Sequence, residues 1–551
     1  MTASALEALP PELLTHLLSF LDLAELLSLS ATSHPLHHVV AASYLAHFAR
    51  ASLGYAPRTL KHLSFHARAP WPVRAQWAAR VAQRWDAWDA RGGVVSAWRE
   101  KCLPVVRLWE PARGVGAVLA ARGREVEMWL TRQDGTVEPV PVVIAYPWAQ
   151  RTRRGGEARG AHDDVTALAA TQTPGEVLVS RVSGQVQRLA VVQHASARDG
   201  MPVVLEERAR YTCGTEAGGA QTTVQALHAQ GNVLVSAATS RLRAAAAAAP
   251  TAVASAPGAG AVGRVTSLAQ SLSSRAAPKR HFVSLHSLSS PWESPVVLPF
   301  AHKPWSVHLS PSARWLAVGH SGTTPLSLFH LDSTGAPASS GDAQVLARTK
   351  RNTSVYGLAS PSPSCSLLNA EQTLLAAFYD STTRVYDLRV PGPSSAVASA
   401  WSDGDEERPQ NEVMRLVDPW SDDPCYSVAM GGAAGAYVAV GTARNAAVRL
   451  FDVRYASSAI GQQGGKGKGQ VAGRRGGITA FAPGRDRSPV YGLEIEGSRV
   501  WGVTDRRGFV LDFDAFRPRG GRAGIGEKVA FVGHGEGEGG VLRWMGEEDK
   551  R

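Results

Sequence analysis

The side chains here with the means to do chemistry are those of recognition. Four aromatic residues recur in one local pattern, an aromatic, then a small, then an aliphatic residue: Trp305-Ser-Val, Tyr356-Gly-Leu, Tyr426-Ser-Val and Tyr491-Gly-Leu. Fainter copies begin at Val165 and Thr223. Arginines stand in polar turns near these patterns, at Arg181, Arg241, Arg444, Arg506 and Arg507. Aromatic rings beside guanidinium groups dominate protein interfaces. The planar guanidinium fork also holds a carboxylate or phosphate through paired hydrogen bonds. These nine residues are therefore expected to bind a protein segment, acidic or phosphorylated. The competing reading is that the four aromatics fill space between repeats.

Other chemistries find no pattern. The four cysteines, Cys102, Cys213, Cys365 and Cys425, are far apart and form no C-x-x-C pair, so neither a zinc site nor a disulfide framework is expected. His34, His37 and His38 lack a further ligand at fixed spacing. The loop at 461–477 is rich in Gly and Lys but lacks the phosphate-loop spacing, so no nucleotide or other cofactor is expected. No nucleophile elbow or zinc-hydrolase motif occurs, and the chain reads as a binding protein rather than an enzyme. A net charge of +11 admits an acidic protein, nucleic acid or an anionic surface. No run of about 18 apolar residues is present and no basic stretch precedes an apolar core at the N-terminus, so neither a membrane span nor a secretory signal is expected. The expected place of work is cytoplasm, nucleus or both.

The elements that position these residues fall into two kinds. At the N-terminus leucines recur three and four apart: Leu13, Leu14, Leu17, Leu18 and Leu21, then Leu26, Leu27 and Leu29. That is helical spacing. Pro10 and Pro11 suit a helix start, where no amide donor is needed. Asp22 and Glu25 form a capping box, and Ser33 before Pro35 opens a third helix. Three short helices bury little surface alone, so the excess leucine should meet a partner chain. The segment Leu9 to Val39 resembles an F-box: Leu9-Pro10-x-Glu12, an aliphatic helix, Leu21-Asp22, then Leu26-Leu27-x-Leu29. The resemblance implies that Leu9, Pro10, Leu13, Leu14 and Leu17 bind a Skp-type adaptor and, through it, a cullin scaffold. Next, Trp77, Val81, Trp85 and Trp88 form one helical stripe, expected to end at Gly92 and Gly93.

Beyond residue 100 the pattern changes to short aliphatic runs between Gly, Ser and Pro turns. A repeat of this length indicates a propeller or solenoid. Asp380 to Arg389 (DSTTRVYDLR) is similar to the WD-repeat family, with Tyr386-Asp387 and Phe451-Asp452 where Trp-Asp usually stands and Asp380 and Asp505 at the family's turn aspartate. The resemblance implies four-stranded blades, and the sequence offers seven candidate starts, near Val105, Val165, Thr223, Trp305, Tyr356, Tyr426 and Tyr491. It also places the start of each first strand and the turn between second and third strands on one partner-binding face. A closing strand is expected from Lys528 to Val532 or Val541 to Trp544.

The fold class expected is thus α+β and multidomain: an F-box over 5–50, a helical linker over 51–100 and an all-β propeller over 101–545, with disordered insertions near 243–280, 402–412 and 461–477. The function expected is that of the substrate-recognition subunit of a cullin-RING ubiquitin ligase. A WD-repeat scaffold outside ubiquitin ligation, or a propeller associated with nucleic acid, are the alternatives.

Overall fold

The structure is a computed structural model, and it describes residues 6, 9–45, 48, 71–98, 102–112, 115–131, 137–145, 164–193, 203–213, 221–241, 279–338, 343–390, 411–418, 421–456, 477–484, 487–514, 527–528 and 531–533. The expected insertions at 243–278, 402–410 and 461–476 lie outside these residues, as does 541–544.

The N-terminal leucines form helices α1 (Pro11–Leu18), α2 (Leu23–Ser30) and α3 (His34–His37), the last running on as a π-helix over His38–Tyr44. The capping box is present: the Asp22 carboxylate accepts from the Glu25 amide at 2.8 Å, and the Glu25 carboxylate accepts from the Asp22 amide at 2.8 Å. Ser33 caps α3 by accepting from the Leu36 amide. Leu14, Leu18, Leu26, Leu36, Val40, Tyr44, Leu45 and Phe48 close a small core. Helix α4 (Trp71–Asp86) contributes Ala75 to that core, so it is the floor of the module.

All described strands but Glu527–Lys528 and Phe531–Gly533 fall into seven groups of four, antiparallel within each group. The first strands of units 1 to 7 are Val105–Ala112, Val165–Ala170, Gln221–Gln230, Pro304–Leu309, Thr353–Ala359, Cys425–Gly431 and Val490–Glu496. Each first strand lies against the first strand of the next unit, and that of unit 7 returns to that of unit 1. The chain therefore closes a ring of sheets, an all-β propeller behind a short helical module. Gly357 permits one such approach, since a Cβ there would come within 3.0 Å of the Ser427 backbone on the neighbouring first strand.

Closure comes from a place the sequence reading did not give. The outer strand of unit 7 is Arg91–Ala97, paired antiparallel with Arg507–Asp512 from Arg91↔Asp512 to Ala97↔Arg507. Gly92 and Gly93, expected to stop a helix, lie inside this strand. The helix ends at Asp86, and Trp88 turns the chain with φ at 53°. Residues 91–97 thus belong to the ring and not to a helical linker. Glu527–Lys528 pairs outside Arg91–Ala97, and Phe531–Gly533 pairs with Ile478–Phe481 in unit 6. The C-terminal segment therefore borders the closing sheets without supplying the fourth strand.

The aromatic stripe of α4 fastens the helical module to this ring. Trp85 is stacked on Phe513, centroids 3.6 Å apart, and on Tyr437 at 4.6 Å. The Trp77 indole donates to Asp514. The Tyr437 hydroxyl donates to Asp86, and Arg454 pairs with both Asp86 and Asp452. Trp77, Val81 and Trp85 are almost fully buried among residues of units 6 and 7.

Candidate functional site

Two surfaces emerge, one on the helical module and one on the ring. The first is the outer side of α1. Leu14 and Leu18 turn inward, which leaves Leu13 and Leu17, one helical turn apart, 54% and 45% exposed. Phe20 follows at 72% exposed, with His16 edge-on to its ring, and Pro10 is also exposed. Of the five residues expected at an adaptor contact, Pro10, Leu13 and Leu17 lie on this stripe. Leu9 is half-buried against the module's core, and Leu14 is 4% exposed within it. The expectation for Leu14 is corrected: its role is to hold the helix in place. Phe20 was missed. Phe20 falls outside the three-and-four leucine spacing, in the turn after α1 ends at Leu18.

The second surface is a rim of the ring. Each of the four repeated aromatics is the extra residue of a β-bulge near the start of a first strand. The register slips between Pro304 and Ser306, Val355 and Gly357, Cys425 and Ser427, and Val490 and Gly492. Units 2 and 3 slip at the equivalent place and present Thr166 and Gln225 there. A bulge re-aims its extra side chain out of the alternating pleat. The result is an arc of half-buried rings: Trp305 to Tyr356 at 4.8 Å between centroids, Tyr356 to Tyr426 at 4.8 Å, and Tyr426 to Tyr491 at 5.8 Å. Tyr379, from the turn of unit 5, joins at 5.8 Å from Tyr356 and is 48% exposed. Trp305 is held by its indole N–H donating to Ser321 Oγ at 2.8 Å, and the Lys303 ammonium lies 3.6 Å from the centroid of its ring. Burial, with Tyr426 and Tyr379 nearby, pushes the Tyr356 hydroxyl up to about 12, so it remains a donor at ordinary pH. The rings therefore do both things weighed from the sequence: they pack on one another, and they keep one side open.

The arginines do not form one cluster. Arg181 is 6% exposed and donates to the Gln187 side chain, and its pKa is lowered by burial and by Arg124. Arg507 is 5% exposed and donates to the Ala482 carbonyl. Arg444 is exposed and paired with Asp423 at 3.5 Å; Arg506 is exposed. The side chain of Arg241 lies outside the described residues. Arg181 and Arg507 are thus corrected from surface ligands to interior residues: Arg181 ends its strand bonded to Gln187 of the next strand, and Arg507 opens its strand with its side chain on the Ala482 carbonyl of unit 6. Of the two turn aspartates, Asp505 is buried, whereas Asp380 reaches outward and pairs with Arg384.

Between rim and far side runs a central cavity of about 720 Å³, to which all seven first strands contribute. Arg107 of unit 1 and Glu494 of unit 7 pair across the seam at 2.7 Å, while burial raises the Glu494 pKa against the pull of Arg107. His228 and His308 lie 4.5 Å apart in its wall, and His308 is pushed down to about 3 by burial and by Arg107. Elsewhere Cys213, Ser236 and His286 come within reach of one another. Burial there moves the thiol up to about 11 and the imidazole down to about 4, the reverse of what an activated nucleophile needs. Among the described residues no group of three His, Cys, Asp or Glu could hold a metal, and no helix is long and apolar enough to cross a membrane.

With this geometry in hand, comparison with known proteins bears on the first surface. Residues 6–48 match the F-box-like family. The chain carries an F-box-like domain ahead of a β-propeller. The match spans the three-helix core and both ends of the exposed stripe. Among solved structures, the β-propeller domain of Cps50 (Swd1) from Myceliophteria thermophila covers 77% of this chain and 99% of its own, at 13% identity and a TM-score of 0.40. No curated protein matches the chain. An F-box-like domain points to adaptor work in ubiquitin ligation, and a propeller to the binding of proteins.

Proposed function

We propose that this chain is a substrate receptor of a cullin-RING ubiquitin ligase, working in cytoplasm or nucleus, with the α1 stripe bound to a Skp-type adaptor and the ring rim bound to a client protein. The observation that carries the reading is the stripe itself. Leu13, Leu17 and Phe20 are large, apolar and exposed on a module whose own core is already closed by other leucines. Such a surface marks a partner site.

The second support is the placement of the two surfaces. Tyr426 begins the first strand of unit 6, whereas Gly432, just past its end, touches the Trp85 indole of α4. The rim and the helical module are therefore separated by the length of that strand, about 20 Å at about 3.3 Å per residue. A client held at the rim faces away from the adaptor, and the buried α4 joint keeps that offset fixed. Catalysis by such a receptor is proximity: the client's lysines are held at high effective concentration near the charged conjugating enzyme.

The test is affinity purification of the tagged full chain, read for adaptor and cullin. Leu13→Asp with Leu17→Asp should lose both while leaving the melting temperature unchanged, because these side chains are outside the core. Retention of adaptor and cullin by that double variant refutes the assignment.

A further inference from the structure

Charge on the rim is segregated, and the segregation says what kind of client segment fits. At the Trp305 end the cations converge from distant parts of the sequence. His281 pairs with Phe300 across the strands Lys279–Ser287 and Val296–Phe300, and Lys303 follows that second strand, so Lys279 and Lys303 stand at the same rim. The turn carrying Ser321 accepts this cluster and the next: the Ser321 amide donates to the Lys303 carbonyl, and the Thr349 amide donates to the Thr323 carbonyl. The Thr349 hydroxyl donates to the Arg351 carbonyl, which fixes the turn bearing exposed Lys350 and Arg351 beside the same rim. The described carboxylates between 279 and 379, namely Glu293, Asp332 and Glu371, all lie in loops at the opposite ends of these strands. At the other end of the arc the balance differs. Asp380, Asp422 and Asp423 flank Tyr379 and Tyr426 and offset the cations there, with Asp380 paired to Arg384, Asp423 to Arg444, and Arg487 and Arg506 exposed near Tyr491.

We propose that the rim binds an extended protein segment that is acidic at one end and apolar at the other, with its carboxylates over Lys303, Lys350 and Arg351 and its apolar side chains along Tyr356, Tyr426 and Tyr491. The inference rests on the rim being the client surface. The arc, with centroid steps of 4.8, 4.8 and 5.8 Å, matches about five extended residues at about 3.3 Å each. Lys303, 3.6 Å from the Trp305 ring, stands where the acidic and apolar halves meet. Single-stranded nucleic acid fits less well. It needs positive charge along the whole track and open ring faces for its bases. Here net positive charge is confined to one end, since the exposed arginines at the other, Arg444, Arg487 and Arg506, are offset by Asp380, Asp422 and Asp423, and the rings lie too close to one another to admit a base between them.

The experiment selects a randomised peptide library on the immobilised full chain, with single-stranded oligo(dT) as a second probe. Expected are enriched peptides with Asp or Glu on one side of an apolar stretch. Glutamine in place of their acids should weaken binding at least about tenfold. So should Lys350→Glu with Arg351→Glu, and separately Tyr356→Ala with Tyr426→Ala, each with an unchanged melting curve. Lys350 and Arg351 are exposed, so the charge pair remains informative even if the tyrosine pair disturbs folding. Enrichment without acids, no enrichment, binding of oligo(dT) alone, or unchanged affinity in the charge-reversed variant overturns the proposal. Adaptor binding in these same variants separates the two readings. A chain that takes the adaptor and ignores acidic peptides sinks only this inference; one that binds the peptides and not the adaptor sinks only the ligase assignment.

Discussion

The molecule holds two clusters of aromatic rings on opposite sides of one ring of sheets, built from similar residues and put to different use. In the joint, Trp77, Trp85, Tyr437 and Phe513 are almost fully buried, and Trp85 is stacked face to face with Phe513. The polar atoms of Trp77 and Tyr437 end on Asp514 and Asp86 within the chain. In the rim, Trp305, Tyr356, Tyr426 and Tyr491 meet at tilted or edge-on angles and stay half-buried. The difference arises in the backbone. The joint sets a helix against strand ends and so closes over its rings, whereas the rim places each ring on a bulge that faces outward. Aromatic content alone does not tell a staple from a binding surface; the local backbone does.

That comparison can be broken in several ways. The largest effect is expected from Trp85→Ala, which leaves a cavity between α4 and unit 6 and should cost about 3–5 kcal/mol in denaturant unfolding. The same change should raise amide exchange in helices α1 to α3 by loosening their floor. If Tyr356→Ala costs as much as Trp85→Ala, the two clusters are not different in kind. Next, Tyr437→Phe removes the hydroxyl's bond to Asp86, which keeps Arg454, and should cost about 0.5–1.5 kcal/mol, with no change in peptide binding at the rim.

Acidity should act on the central cavity and the joint with opposite sign. His308 in the central cavity is held at about 3, below the 6.5 of a free imidazole, so the unfolded chain binds the extra proton. Its contribution is complete above pH 6.5 and falls away as pH drops toward 3. Asp514 in the joint is raised to about 6 from 3.8, mainly by burial, so the unfolded chain loses its proton first. Its contribution is complete below about pH 4 and declines as pH rises to 6. Stability measured from pH 4 to 7 should rise less steeply in His308→Gln and more steeply in Asp514→Asn; the same slope in both variants would contradict the assignment. The smallest effect is expected at Arg506, which is exposed: Arg506→Glu should change stability by no more than about 0.5 kcal/mol. Arg507→Glu, inside the fold, should be severely destabilising, so its loss of binding would say nothing about the rim.

Much of this was legible in the sequence, and the exceptions share a cause. The leucine spacing of α1 and α2, their capping box and the aromatic-small-aliphatic repeat are short-range patterns, each set by backbone periodicity within a few residues. The bulges that turn the repeated aromatics outward are a property of strand pairing, and a single strand does not announce its register. The closing strand Arg91–Ala97 was hidden because its glycines also read as a helix stop, and only its pairing with Arg507–Asp512 decides between the two. Arg181 and Arg507 border polar turns, as an exposed ligand would, but each lies on a strand with its side chain buried. The cationic end of the rim gathers Lys279, Lys303, Lys350 and Arg351 from three units, and no local window contains that set.

The most direct test measures adaptor affinity by titration into three full-length proteins: wild type, Leu13→Asp with Leu17→Asp, and Tyr356→Ala with Tyr426→Ala. The account predicts a loss of at least about a hundredfold for the leucine variant, two factors of ten at about 1.4 kcal/mol each, and no change for the tyrosine variant. Equal affinity in wild type and the leucine variant, or a loss in the tyrosine variant instead, would contradict it.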